Sequence, residues 1–339
     1  MTPRSLAPRR TAPTGAVLLG ALVLLIVAFL VSLAVGTRVL SPVETLQGIF
    51  GREGIAATVI WEMRFPRTLL GLLVGASLGM AGVLAQSVTR NPLADPGLLG
   101  ISSGAAVAVV AGSAFLGLGA GAPRVLLALL GAALATAAVY LFAQRSPEGL
   151  TPVNMTLAGA ATTAFLGAVI SATVLLSAST MDQYRFWVVG ALTMPGTGVL
   201  PPSVPFMLAG AVLALVVSGS LNAMALGDDT AAALGVRVMR TRLLAGAAVV
   251  LLSGTAVALA GPIAFVGLVI PHIARALVGG DVRRLLACAA LLGPLLLLIS
   301  DVVGRLVARP GELQVGVVTA LVGAPFFIWL TRRTKERGL

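Results

Sequence analysis

Few side chains in these 339 residues have the type and spacing for chemistry, and they fall in clusters. The densest is Leu221–Arg242, LNAMALGDDTAAALGVRVMRTR, set between two long apolar runs. Asp228 and Asp229 precede a helix-forming run, Thr230–Leu234, and aspartate is a good N-cap because its carboxylate accepts from the free N–H groups of a first turn. Gly235 ends the run, since glycine takes the left-handed conformation of a helix stop without steric cost. Arg237, Arg240 and Arg242 follow. A short helix of this kind suits either a topology-setting surface loop or a docking element pushed by a cytoplasmic motor. A second cluster is Arg64-Phe65-Pro66-Arg67. Planar guanidinium groups bind carboxylates through two parallel hydrogen bonds, so this pair suits an acidic partner; snorkelling anchors at a membrane surface are the plainer account. Arg305 can join the same face, although its spacing from Asp301 also fits a simple helical i,i+4 pair. A third cluster, Gln86, Arg90, Asn91, Pro92, Asp95 and Pro96, marks a turn whose polar side chains satisfy backbone groups freed by proline. His272, after Pro271, reads as a packed and hydrogen-bonded residue rather than a ligand.

The clusters do not add up to a reaction. There is one histidine and one cysteine, Cys288, so neither a disulfide framework nor a metal-ligand spacing exists, and no metal site is expected. No nucleophile stands near a base, and no paired carboxylates mark a pocket. A phosphate-binding loop needs Gly-Lys-Ser/Thr after a strand; no Gly-Lys pair occurs anywhere in the chain. Energy from ATP must therefore come from a partner, and no cofactor is expected to be bound by this chain.

The elements that position these clusters are hydrophobic. The chain is 58% apolar and 10% charged, with mean hydropathy +1.03, whereas soluble domains carry about 25% charge. Apolar runs near the length needed to cross a bilayer recur throughout. An all-α membrane protein of about ten transmembrane helices is expected, its spans at about 16–35, 66–88, 98–119, 123–143, 153–176, 203–221, 243–260, 263–277, 285–303 and 315–330. Residues 1–15 form a basic N-terminal tail, 16–330 the helical domain with the polar segment 222–242 inside it, and 331–339 a basic C-terminal tail. Residues 36–65 and 177–202 read as two long polar connectors, and Gly261-Pro262 separates spans seven and eight. With both termini cytoplasmic, most of the 23 Lys and Arg lie on the cytoplasmic face, so the net charge of +11 follows from membrane orientation and nucleic acid is not an expected partner. Membrane lipid is.

Four stretches carry a resemblance. RFPRTLLGLLVGASLGMAGVLAQSVTRNPLADPGLLGISSGA (64–105), LGDDTAAALGV (226–236), GPIAFVGLVIPHIAR (261–275) and ELQVGVVTALVGAPFFIWL (312–330) resemble, in this order, the permeases of ABC importers for iron-siderophores, haem and cobalamin. The resemblance implies a ten-helix subunit that pairs with a second permease, identical or closely related. Two ATP-binding subunits would dock beneath the segment after span six, at Leu226, Gly227, Asp228, Asp229, Ala232, Leu234, Gly235 and Arg237, and would use ATP and magnesium. An extracytoplasmic substrate-binding protein would meet Arg64, Arg67 and Arg305 through its glutamates. The path would run along the permease interface, lined largely by spans five and ten. An inner gate would lie at about 150–154, with Thr151, Pro152 and Asn154. This turn departs from the hydroxyl-rich version associated with cobalamin, which favours an iron(III)-siderophore as cargo; cobalamin and haem are the alternatives. A carrier driven by an ion gradient is the rival from another class. It predicts ionisable residues at mid-membrane, where these spans hold almost none.

Overall fold

The computed structural model describes residues 13–36, 40–51, 54–117, 121–147, 149, 151–176, 181, 184–185, 187–193 and 200–335. Helix α1 is Thr14–Ala34 and α2 is Pro42–Gly51. Next, α3 runs through Ile55–Thr89, one rod of 35 residues with a π-helical stretch at Val59–Arg64. A 3-10 turn at Pro96–Leu99 leads to α4, Ile101–Leu116. Helices α5, α6 and α7 are Ala122–Gln144, Pro152–Leu175 and Leu200–Met224. The short α8 is Asp228–Ala233. Helix α9, Val238–Ala260, contains a π-helical stretch at Val250–Gly254. Helices α10, α11 and α12 are Val266–Val278, Val282–Val307 and Val315–Lys335. Among the described residues there are no strands.

Seven of these helices are long and apolar enough to cross a bilayer, and Ile101–Leu116, Val266–Val278 and Val315–Trp329 are shorter apolar helices. The break at Gly261-Pro262 falls between α9 and α10. Residues 36–65 differ from expectation. Instead of a polar connector, 42–51 form α2 and 55–65 the first turns of α3, while 37–39 and 52–53 lie outside the described residues. Ser41 and Glu44 explain the first of these. The Ser41 N–H donates to Glu44 Oε2 at 2.8 Å and the Glu44 N–H to Ser41 Oγ at 3.2 Å, a capping box that satisfies orphan donors at both positions. The last helix also overruns the expected boundary at residue 330 and continues to Lys335. The N-terminal tail up to residue 12, residues 177–180, 182–183, 186 and 194–199 of the second connector, Leu150 at the expected gate, and the last four residues lie outside the described set.

Helix α3 is the centre of the bundle, packed by α11, α10, α9 and α7. Leu70, Val74 and Leu84 on it are fully buried. Its approach to α11 is set by glycine: a Cβ on Gly75 would lie 2.5 Å from the Pro294 nitrogen and 2.6 Å from the Gly293 carbonyl carbon. Helices surrounded by lipid gain little from excluding water, so backbone proximity of this kind is what holds them together. The periphery is oily instead. On α1, Leu19, Val23, Leu24, Ile26, Val27 and Leu30 are more than half exposed.

Candidate functional site

Two groups of charged residues lie at opposite ends of the bundle. The first is built on α8. Gly227 precedes it with φ +115°, a conformation that L side chains avoid, and turns the chain out of α7. At its far end the Gly235 N–H donates to the Ala232 carbonyl at 2.9 Å and the Val236 N–H to the Ala231 carbonyl at 2.9 Å, with Gly235 at φ +83°. These are the paired bonds of a Schellman stop, and they make Gly235 the helix terminator expected of it. Ala231 is buried beneath the helix, while Asp229, Ala232, Leu234, Gly235 and Arg237 are exposed. Leu226 and Leu234 are 68% and 65% exposed, one on each side of α8.

Asp228 does something other than cap. The N-cap is Gly227, which has no capping side chain. The Asp228 carboxylate faces outward to two guanidiniums: Oδ1 accepts from Arg90 Nη2, and Oδ2 accepts from Arg242 Nη2 at 2.7 Å. Two charged donors on one carboxylate outcompete a single backbone N–H. Both arginines belong to clusters read from the sequence, but nothing there pairs them with Asp228; Arg90 sits 138 positions from it, beyond the reach of any spacing rule.

The third cluster forms the turn beside this group. Asn91 Oδ1 accepts from the Leu93 N–H, across Pro92, at 2.9 Å, and Asp95 Oδ1 accepts from the Gly97 N–H at 2.8 Å, capping the 3-10 turn that Pro96 opens. Burial pushes the Asp95 carboxyl above the usual carboxylate range, and the Gly97 N–H opposes that push. Pro96 packs over Gly267, where a Cβ would come 2.7 Å from its Cδ. Gln86 is buried and donates to the Leu268 carbonyl at 3.4 Å. Pro271 lies inside α10, and the His272 ring meets Phe326 edge-on at 5.7 Å. Thr151 caps α6, accepting from the Asn154 N–H at 3.2 Å, with Pro152 as first helical residue and Asn154 Nδ2 donating to the Gly149 carbonyl at 2.9 Å. What these three residues build is a capped helix start.

The second charged group is at the opposite end. Arg67 donates Nε and Nη2 to Asp301 Oδ1 at 3.0 and 2.7 Å and Nη1 to Glu312 Oε2 at 2.5 Å. Arg305 Nη2 is 2.9 Å from Asp301 Oδ2, close enough for an ion pair but without hydrogen-bond alignment, and it bonds Ser32 Oγ at 2.8 Å. Arg305 Nη1 donates to the Ser32 and Val35 carbonyls, and Arg64 Nη1 to those of Leu33 and Ala34 at 2.7 and 2.8 Å. This corrects the expectation of an outward positive patch. Arg64 and Arg305 are 5% and 2% exposed. The last carbonyls of α1 lack intrahelical donors and carry the negative end of its dipole, so they draw the two cations inward. Of the Arg64, Arg67, Asp301, Arg305 and Glu312 group, Arg67 and Glu312 reach the rim, with side chains 14% and 34% exposed.

Among the described residues no group of three or more His, Cys, Asp or Glu could hold a metal ion. The arrangement sets a short, partly exposed helix at one end of the bundle and a buried charge lattice at the other.

The chain matches the model of the FecCD transport family over residues 24–333. It is 44% identical over 321 residues to the ferric enterobactin transport system permease protein FepD of Escherichia coli, covering 94% of this chain and 95% of that protein. It is 40% identical to the Fe(3+)-citrate import system permease protein YfmD of Bacillus subtilis, covering 97% and 98%. A solved structure described as an inward-facing metal-chelate type ABC transporter superposes with a TM-score of 0.80 at 29% identity, covering 94% of this chain and 99% of that one.

Proposed function

Because the chain belongs to the FecCD transport family, we propose that it is the permease subunit of an ATP-driven importer that carries an iron(III) chelate, of the siderophore or citrate type, across the cytoplasmic membrane. It is a transport subunit and a multi-pass membrane protein. Iron chelates are what the similar proteins of Escherichia coli and Bacillus subtilis are named for. ATP hydrolysis belongs to separate subunits, consistent with the lack of a Gly-Lys-Ser/Thr loop in the sequence.

The observation that carries this reading is α8. A six-residue helix sealed at its end by glycine, flanked by the exposed Leu226 and Leu234, presents an apolar contact outside the bilayer. Exposed apolar groups with a polar rim mark protein contacts. Two ATP-binding subunits would press on this helix and on its copy in a second permease, and rock the spans between an inward-open and an outward-open state. The end bearing Arg67 and Glu312 would receive a substrate-binding protein, and Thr151–Asn154 would lie at the inner gate. Both termini are then cytoplasmic.

The test is reconstitution in liposomes of the permease, the ATPase and the binding protein from the same operon. Radioiron supplied as a ferric triscatecholate should accumulate only when all three proteins and ATP are present. Accumulation by the permease alone on a proton or sodium gradient would overturn the proposal.

A further inference from the structure

We propose that Arg90 and Arg242 are the two points at which movement of α8 enters the membrane bundle, with Asp228 as their shared anchor. The inference rests on the reading of α8 as the ATPase contact.

One carboxylate commits each oxygen to a different helix. Oδ1 takes Arg90 at the end of α3, and Oδ2 takes Arg242 near the start of α9. The three side chains are 24–39% exposed, and ion pairs this wet add little to stability. Their arrangement matters more than their strength. Arg90 is one of two non-glycine residues with positive φ among those described, at +51°. A side chain held in the left-handed region is uncommon and tends to persist where the surroundings over-determine it. Here it ends α3 and presents the guanidinium to α8. Because α3 is the bundle's central helix, a push on Asp228 is delivered to the element that touches α7, α9, α10 and α11.

The second arm reaches further. Arg242 lies in the first turns of α9, whose last residue, Ala260, accepts a hydrogen bond from the Ala191 N–H at 2.8 Å. The neighbouring Gly190 carbonyl accepts from the Gly316 N–H at 3.0 Å. Gly316 is in the first turn of α12. A rigid displacement of α9 along its axis is thus passed, at the far end of the bundle, to α12. The two arms divide one input between the bundle centre and its outer rim.

The experiment uses the complete importer in liposomes and reads radioiron from a ferric triscatecholate taken up per ATP hydrolysed. Arg90→Gln and Arg242→Gln are each expected to lower this ratio about five-fold, within the range that changes along coupling networks produce. The ATPase should still co-purify with both. Arg90→Lys and Arg242→Lys, which keep a positive partner for each Asp228 oxygen, should each recover at least half of the ratio. In the unaltered protein the ratio should fall as salt rises, because partly exposed pairs are screened, and in Asp228→Asn it should be low and flat. An unchanged ratio in either arginine variant, or loss of the ATPase from it, would overturn the proposal. Ala232→Arg separates the two levels. If it uncouples transport while the arginine variants do not, only the two-armed anchor fails; if it changes neither coupling nor ATPase association, the reading of α8 itself fails.

Discussion

Arg67 and Asp301 are 234 residues apart in sequence and 2.7 Å apart in space, and the Asp301 side chain has no exposure at all. A carboxylate placed in this way is tolerated because two guanidiniums share it. Removing one partner of a buried pair leaves uncompensated charge, so Asp301→Ala should destabilise by about 3–5 kcal/mol. Asp301→Asn, which keeps an acceptor, should cost less. Thermal melting of the detergent-solubilised protein measures both; equal melting temperatures for the unaltered protein and Asp301→Ala would refute the assignment.

Arg305 fastens the end of α1 through the carbonyls of Ser32 and Val35. Arg305→Met keeps much of the volume but returns those acceptors to an unsatisfied state, at about 1–3 kcal/mol for each buried group. The loss should be local. Hydrogen exchange at residues 31–35 is expected to rise while the first half of α11 keeps its protection.

Gly75 meets the backbone of Gly293 and Pro294, which cannot rotate aside. Gly75→Ala should cost about 1–3 kcal/mol by overpacking, and Gly75→Val more. Yield of monodisperse protein should follow the same order. A glycine kept only for helix flexibility would tolerate alanine.

Asp95 gives a pH dependence whose sign follows from burial. Its folded-state pKa is raised, so its neutral form is favoured in the folded protein. The stability linked to this group is complete below the unfolded value, about 3.9, and is lost as pH rises through the folded value. Asp95→Asn keeps the acceptor for the Gly97 N–H and cannot ionise. Its melting temperature should therefore exceed that of the unaltered protein by a margin that grows from pH 4 toward neutrality; a constant margin would exclude Asp95 as the source.

The bundle was legible because bilayer thickness imposes it: apolar runs and proline or glycine breaks placed most helices within a few residues. Gly235 was legible as a stop for the same local reason. Ser41 and Glu44 carried a readable capping signal that the polarity of residues 36–65 obscured. The charged networks were not legible. Asp228 looked like a cap because its neighbours in sequence are helical, yet its partners come from positions 90 and 242. Arg64 and Arg305 looked exposed because arginine usually is, and only the fold brings the bare carbonyls of α1 beside them.

The segment Gly261–Phe265 joins α9 to a helix of only 13 residues. At about 1.5 Å per residue α10 is roughly 20 Å long, too short for a hydrocarbon core of about 30 Å. The non-helical residues before it make up the difference and are held by close packing: a Cβ on Gly261 would lie 2.2 Å from the Trp187 carbonyl oxygen, and Ile263 is buried. Amides and carbonyls there survive any exchange of side chains. Gly261→Ala and Ile263→Ala should both register in an alanine scan, and amide-to-ester replacement is the chemistry that would separate out what the backbone groups contribute.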